Sequence, residues 1–162
     1  MKQFLLYFLT AIFSIFIGCQ ITEGVLLVPF WQSLSSADFY SYYKEFGPSI
    51  GLFYTVLTVI AAIIPIFLVI YCKLTNSNAF MFALISSFFA ILFVSSFYLY
   101  FKDTNELFYQ SALSDTELKN ELITWSYWHW GRIFIEFVSL TFLILSFIKI
   151  QNSKISPTPV KK

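Results

Sequence analysis

The sequence predicts an all-α protein, a four-helix transmembrane bundle with short interfacial helices in its two outer loops. Three observations carry that reading. Apolar side chains make up 58% of the 162 residues and charged ones only 12%, against roughly 25% charged in soluble domains. Four runs nearly free of charge, at 4–31, 49–72, 79–101 and 128–148, are each ~20 residues or longer, enough at ~1.5 Å per residue to cross the ~30 Å hydrocarbon layer. None shows the apolar/polar alternation of barrel strands, so helices are left as the way to pair every backbone group in lipid. One membrane domain over 1–150 follows, with a lysine-containing tail over 151–162.

Taken in order, the first run contains Gly18-Cys19, which suggests lipoprotein cleavage. The bulky Phe16 and Ile17 before it fit that site poorly, and the apolar run continues through Val25-Leu-Leu-Val28, so the run is read as a span. After it, Phe39, Tyr42, Tyr43 and Phe46 recur at i, i+3, i+4, i+7 behind the capping candidates Ser35 and Ser36, and Gly47-Pro48 closes the pattern. This predicts a short aromatic helix, either an anchor along the outer interface or a lid over the bundle. Pro65 removes one backbone hydrogen bond from helix two and predicts a kink there. The polar turn at 73–78 makes helices two and three an antiparallel hairpin, capped by Asn76 or Ser77. Helix three carries Ala79, Ala83, Ser86 and Ala90 at helical spacing, a small-residue stripe for close packing and the expected surface for any homo-oligomer. In the second outer loop Ser114-Asp-Thr-Glu117 has the form of a capping box. Leu118, Leu122 and Trp125 continue at i, i+4, i+7, so the helix starting there runs into helix four with little or no break. Cys19 and Cys72 fall at different depths, too far apart for a disulfide, and are read as packing residues.

Orientation follows from the lysines. The N-terminus, the 73–78 turn and the tail hold Lys2, Lys73, Lys149, Lys154, Lys161 and Lys162 and no acid, whereas the other loops hold three lysines against seven acids. Short cytoplasmic loops collect Lys and Arg, so both termini are expected to be cytoplasmic.

The chemistry concentrates in Trp125-Ser-Tyr-Trp-His-Trp-Gly-Arg-Ile-Phe-Ile-Glu136, which holds three of the four tryptophans, the only histidine and the only arginine. Trp125, His129, Arg132 and Glu136 recur at i, i+4, i+7, i+11 and share one face of helix four. Helix one runs the opposite way, which brings Glu23, with Gln20 and Thr22 beside it, to the same depth. Charges in a membrane helix are costly when they face lipid, so these should turn inward and pair. Two readings stay open. In one, Arg132 pairs with Glu23 and Glu136 to align helices one and four. In the other, Glu23, His129, Arg132 and Glu136 are catalytic and line an outward-facing pocket between those helices, with Trp31, Tyr43, Trp125 and Trp128 as the aromatic surfaces that bind a hydrophobic ligand. A histidine, carboxylates and an arginine are the parts of acid/base chemistry on an oxygen-bearing substrate. No HxxxH, ExxH or CxxC pairing supports a metal site, and none is expected. The chain lacks a basic patch for nucleic acid and the paired broken helices of transporters built from inverted repeats.

Four helices in about 160 residues, with an aromatic cluster and a W-x-x-x-H-x-x-R arrangement (Trp125, His129, Arg132) opening the fourth, resemble the anthrone-oxygenase-like family of small bacterial and fungal membrane proteins. That family usually has Asn where His129 stands here. The resemblance implies cofactor-independent oxidation of a hydrophobic, polyketide-like ring, here read as an aromatic or quinol-like small molecule; the membrane is expected to be a bacterial inner (plasma) membrane. The expected partners are therefore the lipid bilayer and a hydrophobic small molecule. The other class of function is a non-enzymatic membrane subunit or scaffold whose buried charges only align the bundle.

Overall fold

The computed structural model describes residues 3–155; the predicted tail beyond Ile155, with Lys161 and Lys162, and the N-terminal Lys2 lie outside the described residues. Apart from short turns at 34–35, 75–79 and 110–114 the described chain is helical: α1 (Gln3–Thr22), a π-helical turn (Glu23–Leu27), α2 (Val28–Ser33), α3 (Ser36–Leu74), α4 (Phe80–Ser96), a second π-helical turn (Phe97–Phe101), α5 (Lys102–Tyr109) and α6 (Asp115–Ile155). These pieces join into four helices long and apolar enough to cross a membrane, Phe4–Ser33, Ser36–Leu74, Phe80–Tyr109 and Asp115–Asn152. Their outer faces carry large apolar side chains such as Leu52, Phe67, Ile91 and Phe134, as a surface solvated by acyl chains requires. The chain is thus a multi-pass membrane protein built as a four-helix bundle.

Both predicted loop helices are helical, yet neither stands apart from the spans. The aromatic segment 39–46 forms the first turns of α3, which runs on through Gly47-Pro48. Two forces keep that helix going. Phe39 and Tyr43 bury in an aromatic core with Trp31 and Phe108, and a helix broken near the bilayer would leave carbonyls without water to bond. Ser35 caps α3, its hydroxyl accepting from the Asp38 amide at 3.2 Å. Pro65 likewise sits inside the continuous α3. At the start of α6 the box is one-sided: the Glu117 carboxylate accepts from the Ser114 amide at 2.9 Å and its hydroxyl at 2.6 Å. As the spacing predicts, α6 continues unbroken into the fourth span. Between α3 and α4, Asn76 turns the chain with a left-handed φ of 47°, and the Ser77 hydroxyl accepts from the Ala79 amide at 3.2 Å.

Packing falls into two apolar cores. One gathers Phe13, Phe16, Leu68, Ala83, Phe93 and Leu143 towards the end of the bundle that carries the 75–79 turn. The other gathers Val28, Trp31, Phe39, Phe101, Phe108 and Trp125 at the opposite end. The small residues Ala79, Ala83, Ser86 and Ala90 are all buried inside the chain, where Ser86 and Ser139 of α6 exchange hydrogen bonds, each hydroxyl donating to the other's carbonyl at 2.8 and 2.9 Å. That stripe is therefore used within the bundle. The polar residues singled out in the sequence sit where the two cores meet.

Candidate functional site

The site begins with a break in helix geometry. Pro29 has no N–H to give the Val25 carbonyl, and its ring crowds that oxygen. The chain answers with a wider turn in which the Val28 amide reaches back to the Glu23 carbonyl. Such π-turns re-aim side chains and recur at functional sites. Here the turn opens with Glu23 and Gly24. A Cβ at Gly24 would stand 3.1 Å from the His129 ring and 3.1 Å from Trp130, so glycine is what lets α6 come this close. The second π-turn, closed by the Lys102 amide bonding the Phe97 carbonyl, faces the same space from the third span.

Across this contact the stripe on α6 meets α1. His129 is fully buried, its ring stacked on Trp125 with centroids 5.0 Å apart. Its Nε2 lies 2.9 Å from the Gln20 main-chain oxygen, and its Nδ1 lies 3.0 Å from Arg132 Nη2. A carbonyl can only accept and a guanidinium can only donate, so the ring proton sits on Nε2 and Nδ1 is the acceptor. The approach of Glu23 Oε2 to that Nδ1, at 3.8 Å, is therefore a contact between two acceptors and adds no bond. Arg132 Nη2 also donates to Gln20 Oε1 at 2.9 Å and lies 3.8 Å from Glu23 Oε2. On its other side Nε lies 3.7 Å from Glu136 Oε1, and the guanidinium stands 4.4 Å over the Phe101 ring. The predicted pairing of Glu23, Arg132 and Glu136 across helices one and four is present in the structure.

These are ion-pair distances rather than hydrogen bonds. Glu23 Oε2, Arg132 Nε, both Glu136 oxygens, Gln20 Nε2 and Trp31 Nε1 are buried without a hydrogen-bond partner. A buried polar atom left so costs on the order of 1–3 kcal/mol, more for a charged group. Several of them lie together where the two cores meet, a concentration that calls for an explanation.

Beside the cluster lies a cavity of about 180 Å³. Glu23 and Arg132 form its polar inner wall, and Trp31, Tyr43, Phe101 and Trp125 its aromatic floor. Most of the remaining wall comes from α3 and the third span, so the space lies chiefly between helices two and three rather than between one and four. Of the aromatic residues expected on a ligand surface, Trp31, Tyr43 and Trp125 are there. Trp128 is not: it stacks on Tyr100 at 4.9 Å on the outer surface and is 41% exposed. His129 and Glu136 belong to the cluster but do not line the cavity. Behind the wall they hold Arg132.

The sequence reading placed Gln20 beside Glu23 but gave it no role, and it missed Tyr54 and Asn105. Gln20, one turn before Glu23 on the same face, is the hub that receives both His129 and Arg132, and its spacing was the available signal. Tyr54, whose hydroxyl donates to the Cys19 carbonyl at 3.0 Å, ties α3 to α1 at the cavity wall. Asn105 accepts from Trp125 Nε1 at 3.1 Å and fixes that ring. Among the described residues no group of three or more His, Cys, Asp or Glu is placed to hold a metal ion. Comparison with protein-family models, with curated proteins and with solved structures finds no match for this chain.

Proposed function

We propose that the protein binds a hydrophobic ring bearing a hydroxyl or an acidic C–H in this cavity and, in line with the resemblance drawn from Trp125, His129 and Arg132, oxidises it without a cofactor. The observation that carries the reading is the pairing of an aromatic-walled cavity with a partnerless carboxylate oxygen, Glu23 Oε2, next to a guanidinium. Glu23 takes the proton, and Arg132 holds the oxyanion that results. Trp31, Tyr43 and Trp125 clamp the ring. His129 is a positioning residue here, because both its nitrogens are engaged with Gln20 and Arg132. For an anthrone-type ring the oxidant is dioxygen: the methylene loses two hydrogens and becomes a carbonyl with one oxygen atom, and the other oxygen atom leaves as water.

The test is oxygen uptake and equilibrium binding with anthrone and with simple hydroquinones, on protein purified in detergent. The wild type is expected to bind and to consume oxygen. Glu23→Gln, which keeps shape and removes the base, should lower turnover by about 10²–10⁴-fold with the helical circular dichroism unchanged. A second reading is favoured by the same links across α1 and α6: a scaffold whose charges align the bundle. It is the correct one if the wild type neither binds these rings nor takes up oxygen while Glu23→Gln shifts only the melting temperature.

A further inference from the structure

The residues around the cavity divide sharply by exposure. Glu23, Trp31, Tyr43 and Trp125 are buried, whereas Gly51, Thr55 and Val59 on α3 and Phe97 and Tyr98 on the third span are exposed. The exposed set lies on the surface that the bundle turns to lipid, beside Leu52, Val56 and Ile60. Along the bundle axis, in contrast, the space is roofed. Tyr109 packs on Tyr43 with centroids 4.8 Å apart, and Gly47 leaves it room: a Cβ there would stand 3.1 Å from the Tyr109 ring, which would have to give way by a few tenths of an ångström. The cavity thus opens sideways, between spans two and three.

The rim is also chemically unusual for a membrane helix. Gly47, Gly51, Thr55 and Val59 follow one another at i+4, so α3 presents a shallow furrow there instead of a ridge, and the nearest neighbour to a Cβ at Gly51 is the Tyr109 hydroxyl at 3.8 Å. Thr10, Thr22, Thr75, Thr124 and Thr141 each return their hydroxyl to the carbonyl four residues earlier, the usual way to satisfy a threonine in a helix. Thr55 and Thr58 both line the cavity and make no such bond. A hydroxyl facing hydrocarbon without a partner is costly. Two of them, one turn apart, lie on the path from lipid to the partnerless Glu23 oxygen.

We infer that the natural ligand is a lipid-resident amphiphile, a hydroxyl-bearing ring on an alkyl or isoprenoid tail, which enters sideways between spans two and three. The ring hydroxyl donates to Glu23 Oε2, oxygen substituents at the neck meet Thr55 and Thr58, and the tail lies in the furrow by Val59 and stays in the bilayer. This rests on the cavity being a ligand site, as proposed above, but not on any reaction there.

Two probes separate the claims: decylhydroquinone and methylhydroquinone, measured by equilibrium binding to the protein in lipid nanodiscs with the uptake of empty nanodiscs subtracted. Referred to the free aqueous probe, each methylene taken from water into the bilayer and furrow contributes roughly fourfold, so the wild type should bind the decyl compound at least about tenfold more tightly on that scale. Gly51→Leu fills the furrow on an exposed face. It should remove that advantage while leaving methylhydroquinone affinity within about twofold, and Val59→Phe, at an exposed furrow position given only to the tail, serves the same purpose should the leucine variant not fold. Glu23→Gln should weaken both probes by about tenfold or more, the loss expected for a hydrogen bond to a charged group. Equal affinity for the two probes, or filled-furrow variants that bind the decyl compound as the wild type does, would overturn the lateral site and leave the ring-binding reading standing. Binding of neither probe would overturn both.

Discussion

Arg132 is held from every side at once: Gln20 Oε1 and His129 Nδ1 accept from it, Glu23 and Glu136 flank it, and the Phe101 ring lies beneath it. Removing the guanidinium would leave two buried carboxylates and a histidine nitrogen facing one another with nothing between them. Stranding a partner of a buried pair costs roughly 3–5 kcal/mol. Arg132→Leu should therefore lower the melting temperature and folded yield in detergent, while Tyr127→Ala, at an exposed position, should leave both as they were. An unchanged melting temperature for Arg132→Leu would mean that the charges do not hold α1 to α6. The face on α6 was legible because 100° per residue puts His129, Arg132 and Glu136 within about 40° of Trp125 around the axis. Trp128 falls about 60° to one side, which is enough to turn it out onto Tyr100. Sequence spacing tells which residues share a face but not how deep a neighbour packs against it, and so it could not separate Glu23 and Arg132, which reach the cavity, from His129 and Glu136, which stand behind them.

At the scale of the helix, the misreading of Gly47-Pro48 has a physical cause. In water this pair ends a helix, because the freed amides and carbonyls find solvent; near a bilayer an end is costlier than one missing bond, and α3 carries both Pro48 and Pro65. The small-residue stripe of α4 was legible as a packing surface, and its partner became clear only from the reciprocal bonds between Ser86 and Ser139. Those bonds make a specific expectation. Ser86→Ala and Ser139→Ala each remove one donor, and each leaves the opposite carbonyl to its own helix. Interhelical hydrogen bonds of this kind are worth about 0.6 kcal/mol and up to about 1.7 kcal/mol in membrane bundles. On unfolding in mixed micelles each single variant should lose stability in that range and the double variant about the sum, since each hydroxyl bonds a backbone carbonyl that the other substitution leaves in place. Unchanged stability in all three variants would mean that the serines only fill space.

The whole molecule is asymmetric in charge from end to end, and this asymmetry predicts which way it spans. Lys73 and Lys149 lie at the end that carries the 75–79 turn, together with the N-terminal start of α1. Asp38, Glu45, Asp103, Glu106, Asp115, Glu117 and Glu121 all lie at the other end, beside the aromatic core and the site. Four spans return the chain to the side on which it began, so the two described ends of the chain share a side whichever orientation holds; the lysines decide which side that is. The turn end is expected in the cytoplasm, which puts Glu23, Arg132 and the cavity in the outer half of the membrane. Single cysteines report this directly once Cys19 and Cys72 are replaced. Asn78→Cys in the turn and Ala112→Cys in the loop before α6 are both exposed positions. In intact cells an impermeant maleimide should label Ala112→Cys and spare Asn78→Cys, and permeabilised cells should label both. The reverse pattern would invert the molecule, moving the site to the inner half of the membrane and the supply of its ligand to the inner leaflet. Labelling of both positions in intact cells would contradict a chain that crosses between residue 78 and residue 112, and with it the four-span bundle on which the depth of Glu23 and Arg132 depends.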